Sequence, residues 1–155
     1  MATAQDTFTQ YANLAYHGQL NTNFDWWAAS PLAEGGDIAF GVAVAFGTAD
    51  DQGVVVPTGA TATQIIGITL RTQSVENSEV AGVPASLYKE GYPMSALTKG
   101  RIFVSISDGS TAGDPVYIVP DTGELVSTVG TNIAYPRARF VRTVGAGETT
   151  EIELA

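Results

Sequence analysis

Large apolar residues occupy alternate positions from 38 to 46: Ile38, Phe40, Val42, Val44 and Phe46, with Ala39, Gly41, Ala43 and Ala45 between them. A period of two predicts a strand with its large side chains on one face, and with the small residues facing outward or letting another backbone come close. A helix fits poorly, because Gly41 and two β-branched valines sit mid-run. Residues 53–57 read as a short strand closed by Pro57, and residues 65–71 set Ile66, Ile68 and Leu70 against Ile65, Gly67 and Thr69. Residues 85–90 are a further candidate. Residues 101–107 place Ile102, Val104 and Ile106 on one face, opposite Phe103, Ser105 and Ser107. The segments 116–119 and 125–129 flank Pro120-Asp121-Thr122-Gly123, which is turn chemistry at hairpin spacing. Strands over 137–144 and 151–154 complete the series. Glycine or proline breaks come at short intervals, and strands do not alternate with helices. The pattern predicts an all-β sandwich or barrel of short antiparallel strands.

Residues 1–36 read differently. They are rich in Gln, Asn, Thr and Ala, show poor periodicity, and carry Phe8, Tyr11, Tyr16, Phe24, Trp26 and Trp27. They predict an irregular N-terminal arm over residues 1–36, ahead of a β-domain over residues 37–155. So many aromatics need cover, either from the chain's own core or from a partner.

Charge narrows the partners. The chain has 155 residues and a net charge of −9, and no Lys or Arg precedes Arg71. Phosphate contacts need clustered cations, so nucleic acid is not an expected partner. An anionic membrane is disfavoured for the same reason, and no apolar run approaches the roughly 20 residues that span a bilayer. Charged residues make up only 15% of the chain, against an average near ~25%, so much of the surface must be neutral. There is no cysteine and one histidine, His17, which excludes thiol chemistry and a multi-histidine zinc site. No cofactor is expected.

Catalytic motifs are fragmentary. Asp121-Thr122-Gly123 spells the triplet of aspartic proteases, but Pro120 and Glu124 flank it where that pattern wants apolar and small residues. Ser86 and Lys89 have Ser-x-x-Lys spacing, yet on a strand they face opposite ways. Asp50, Asp51, Asp108 and Asp114 fall in loops without the spacing of a calcium-binding loop, and turn capping explains them. A trimeric dUTPase is an alternative by size, but Pro136-Arg137-Ala138-Arg139 does not supply its arginine-containing segment. Arg137, Arg139 and Arg142 form a basic cluster, the first two expected on one strand face and Arg142 on the other, that can pair with a partner's carboxylates or with the chain's own.

Two stretches carry a resemblance. The first joins Glu34-Gly35-Gly36-Asp37 and the alternating run to Gly53-Val54-Val55-Val56-Pro57 and Ile65-Ile66-Gly67-Ile68-Thr69-Leu70-Arg71. The second joins Tyr88-Lys89-Glu90-Gly91 and Lys99-Gly100-Arg101-Ile102-Phe103-Val104 to Gly113-Asp114-Pro115-Val116-Tyr117 and Thr122-Gly123-Glu124-Leu125. This order resembles the structural cement, or head decoration, proteins of tailed bacteriophages. The resemblance implies a jelly-roll-like β-domain on the outer surface of the capsid, with the major capsid protein as partner and no catalytic residues. A homodimer at two-fold positions, or alternatively a homotrimer at three-fold positions, would bridge capsomers. Phe24, Trp26 and Trp27 are the expected anchors, and Arg137 and Arg139 are further candidates for partner contact. The alternative reading is a tail or baseplate component, or a carbohydrate-binding module with Trp26 and Trp27 as its platform.

Overall fold

The structure, a computed structural model, describes residues 15–48, 52–59, 61–72 and 87–155. Within them the chain forms β1 (Gln19–Leu20), β2 (Trp27–Ala29), β3 (Leu32–Ala33), β4 (Ile38–Ala39), β5 (Ala43–Phe46), β6 (Gly53–Val55) and β7 (Ile65–Thr69). Then come β8 (Leu87–Tyr88), β9 (Ala96–Ser105), β10 (Pro115–Ile118), β11 (Leu125–Val126), β12 (Ile133–Phe140) and β13 (Thr149–Leu154). The main sheet runs β11-β10-β12-β13-β9-β7-β5-β6-β3, while β1 and β2 pair with β9, and β4 pairs with β8. The fold is all-β, as the alternation predicts. The described pairs are antiparallel apart from β3 with β6, which run parallel and make the sheet mixed. This strand order does not establish a jelly roll.

β9 joins the two halves of the sheet. Its first residues, Ala96 and Leu97, pair with β7 on one side and β2 on the other. Gly100 to Ser105 pair with β13, and Phe103 and Ile102 pair with β1. Gly100 marks the change, with a φ of 127°, in the left-handed region that favours glycine. A Cβ there would also lie 2.8 Å from the Cβ of Trp26. Residues 18–29 thus lie antiparallel along β9, and the arm sequence from residue 15 to residue 36 contributes β1, β2 and β3.

Among the described residues two apolar cores result. The larger holds Ile68, Leu97, Ile102, Val104, Phe140 and Ile152, all buried. Burying each such side chain stabilises the fold by about 1.5–3 kcal/mol. The smaller holds Ile38, Phe40, Val42, Val44, Tyr88 and Met94. Phe40 and Tyr88 meet edge to face at 5.0 Å, and the Tyr88 hydroxyl donates to the Leu70 carbonyl at 2.6 Å.

The run from 38 to 46 is not one strand. It breaks at Gly41, whose φ is 68°. A Cβ on Gly41 would overlap the His17 ring. Beyond the break, Val42 and Val44 face the smaller core while Ala43 and Ala45 face the larger. Both faces of β5 are therefore covered, and the small residues do not point to solvent. Phe46, grouped by the period with these large residues, is 59% exposed.

Candidate interaction surface

β9, β13 and β12 lie side by side, and their alternation turns Arg101, Glu153 and Arg139 outward in one cross-strand row. Glu153 accepts from Arg101 at 3.2 Å through one oxygen and from Arg139 through the other. The Arg139 hydrogen bond, aided by Arg101, outweighs a smaller desolvation effect and holds the Glu153 carboxyl below its usual range. The Arg101 guanidinium lies 3.9 Å from the centre of the Phe24 ring, a cation–π stack.

The predicted aromatics continue this row. Trp26 crosses the backbone of Gly100, where the absence of a side chain admits it. Trp27 opposes Lys99, and its carbonyl accepts from the Thr98 hydroxyl at 3.1 Å. Arg137 donates to the Thr98 carbonyl at 3.0 Å and to the Ala155 carbonyl at 3.1 Å. The structure thus connects all five predicted residues: Phe24 and Arg139 through Arg101 and Glu153, Trp27 and Arg137 through Thr98, and Trp26 by its place between Phe24 and Trp27. Phe24, Trp26 and Trp27 are 43%, 46% and 70% exposed, so none of them fills a core.

Arg101, Glu153 and Thr98 escaped the sequence reading. Nothing in one chain's sequence states that position 101 lies opposite position 153; only the register does. Next to this row lies a second one. Glu151, almost fully buried, accepts from Asn21 at 2.7 Å and from Arg142 at 3.2 Å. The three clustered arginines therefore meet the chain's own carboxylates or carbonyls.

The catalytic candidates do not assemble. Asp121, Thr122 and Gly123 lie in the connection between β10 and β11, and Asp121 has a φ of 71° suited to a turn. Asp108 accepts hydrogen bonds from the backbone and hydroxyls of Ser127 and Thr128. Desolvation pushes its carboxyl up, but these bonds together outweigh that and hold it low. This is turn capping. Ser86, Asp50 and Asp51 lie outside the described residues. Among the described residues no group of three His, Asp or Glu side chains is arranged to hold a metal ion. Among the described residues no helix is long and apolar enough to cross a membrane. An open cavity of about 780 Å³, lined in part by Glu34, Asp37, Phe46, Thr48 and Asp121, contains none of the five predicted residues. Its Glu34 carboxylate binds the Thr48 backbone and hydroxyl, and Asp37 accepts from the Glu90 amide at 3.0 Å.

Among curated proteins none matches this sequence. Among solved structures, a chain in the capsid of Myoviridae Phage XM1 shares the fold with a TM-score of 0.64 at 16% identity, over 99% of this chain and 97% of that one. A weaker likeness, with a TM-score of 0.47 at 11% identity over 84% of this chain and 95% of that one, is to the head fiber gp8.5 N base in bacteriophage phi29. The family described as Structural cement protein (E217 gp24/Pam3 gp6) matches residues 4–155. With nearly the whole sequence matched, the chain belongs to the structural cement protein family and is a structural protein of a bacteriophage particle.

Proposed function

We propose that the protein cements the head of a tailed phage. It binds the outer surface of the capsid and stabilises contacts between capsomers of the major capsid protein. Membership of a structural family implies a binding role, not a catalytic one. The observation that supports the site is the exposure of Phe24, Trp26 and Trp27 in one row on a segment clamped to β9. Rigid aromatic side chains of this kind make binding hot spots, because little rotamer entropy remains to be lost. In this reading residues 1–36 are the contacting arm and residues 37–155 the β-domain that holds it.

The energetics suit a cement. A ligand that binds only the assembled shell stabilises it by mass action. Many modest contacts, linked through the shell, add up by multivalency. A homodimer at two-fold positions would bridge neighbouring capsomers symmetrically, with a homotrimer at three-fold positions as the competing arrangement.

The test is the double variant Trp26→Ala, Trp27→Ala, assayed for binding to purified shells that lack the protein. Binding is expected to be lost while the melting temperature falls by no more than about 4 °C, the shift that about 1 kcal/mol produces at this size. Had the tryptophans been core residues, each truncation would cost about 3–5 kcal/mol. Full shell binding by the double variant would refute the anchor assignment.

A further inference from the structure

The charge of this protein is sorted in space. Of its seven Lys and Arg residues, four arginines gather along β9, β12 and β13: Arg101, Arg137, Arg139 and Arg142. Phe103 and Glu151 are register partners two residues from Arg101 and Glu153, so they share the outward face. Arg142 joins that face through its bond to Glu151 and its position 5.6 Å from the centre of the Phe103 ring. Among the described residues only Glu151 and Glu153 oppose the four arginines through ion pairs. Counting side chains alone, four guanidinium groups against two carboxylates leave a surplus of two positive charges. The whole chain is −9, and among the described residues the remaining side chains, three cations against nine carboxylates, carry −6.

The surplus is accessible. One carboxylate, Glu153, is divided between Arg101 and Arg139, and the Arg139 and Arg142 side chains are 66% and 58% exposed. Arg137 meets no side-chain carboxylate among the described residues; it donates to main-chain oxygens of Thr98 and Ala155. A guanidinium with unused N–H groups matches a carboxylate in geometry and charge, often through two parallel bonds. Phe24, Trp26 and Trp27 run along the border of the basic face, and apolar cover strengthens such pairs by excluding water.

We propose that this face recognises a carboxylate-rich patch of the phage shell protein, with the arginines pairing to its acids and the tryptophans supplying apolar contact beside them. The proposal rests on the reading that the chain binds the shell. A phosphate backbone offers similar anionic chemistry, but a chain of net charge −9 repels a long polyanion.

The test is a binding titration of the full chain to purified shells lacking it, at about 50 mM and about 500 mM NaCl, since screening shortens the reach of charge over this range. The wild type should lose about tenfold or more in affinity at the higher salt. The Arg137→Gln, Arg139→Gln variant should bind about tenfold more weakly at low salt, respond less to salt, and melt within about 4 °C of the wild type. Binding that is tight but indifferent to both salt and variant overturns this inference and leaves the cement reading intact. No binding at either salt concentration overturns both. Salt-sensitive self-association in sedimentation without shells, lost in the variant, makes a second copy the occupant and overturns the shell assignment. Salt-sensitive retention by duplex DNA, lost in the variant, does the same in favour of nucleic acid.

Discussion

Tyr135 is buried in the larger core, and among the described residues its hydroxyl has no hydrogen-bond partner. Burial also pushes its ionisation above the ordinary tyrosine range. An unsatisfied buried hydroxyl costs about 1–3 kcal/mol. Tyr135→Phe removes that cost and keeps the ring, so the variant should melt about 2–6 °C higher. A lower melting temperature would show that the hydroxyl is satisfied. At this scale the sequence spoke clearly about residue types. Phe24, Trp26 and Trp27 stand out as aromatics without a periodic setting, and they do lie at the surface. It was silent about Arg101, because the carboxylate and the ring that define its place come from positions 153 and 24.

Among the elements, β1 is held by a pin that spacing does not reveal. His17 sits against Gly41, and its Nδ1 accepts the Ser105 amide at 2.9 Å. That bond requires an unprotonated Nδ1. Burial lowers the His17 pKa from 6.5, offset in part by the Phe40 backbone and by Glu124, and reinforced by Arg71. The unfolded chain therefore binds the proton first, and stability rises with pH in this window. Stability should be full above about pH 6.5 and fall as the pH drops below it, with exchange of the Ser105 amide accelerating. His17→Gln should be less stable at neutral pH but flat between about pH 7.5 and pH 5.5. A wild type equally flat there would contradict the pin. Most longer strands were legible in period, because burial on one face writes alternation into the sequence. Residues 101–107 are the clearest case, with Ile102 and Val104 buried in β9 and Ile106 buried just beyond it. Where both faces are covered, as in β5, the alternation of large with small misled. The start of β9 and the position of β12 were also misplaced. Ala96–Gly100 hides its strand behind Lys99 and Gly100, and Pro136 lies inside β12. β1 and β2 are too short to show any period; pairing with β9 is what makes them strands.

As a whole, the molecule sets a rigid, neutral-to-basic outward face within an acidic chain. The sheet path through β9 supplies the rigidity, since β9 is paired along its length and has strand partners on both sides at Ala96, Leu97, Ile102 and Phe103. All-β architecture and an acidic balance were readable from the sequence; the parallel pairing of β3 with β6 and the sorting of charge were not, because both depend on chain segments distant in sequence. A rigid surface loses little freedom on docking, so more of its contact energy remains as affinity. That is the property a shell cement needs, and it sets the central expectation for abundance. A protein that holds capsomers together must be present wherever capsomers meet. The direct measurement is its copy number in density-gradient-purified particles by quantitative mass spectrometry. The account predicts copies of the same order as the major capsid protein. A handful of copies per particle, as for a tail component, or none at all, would contradict it.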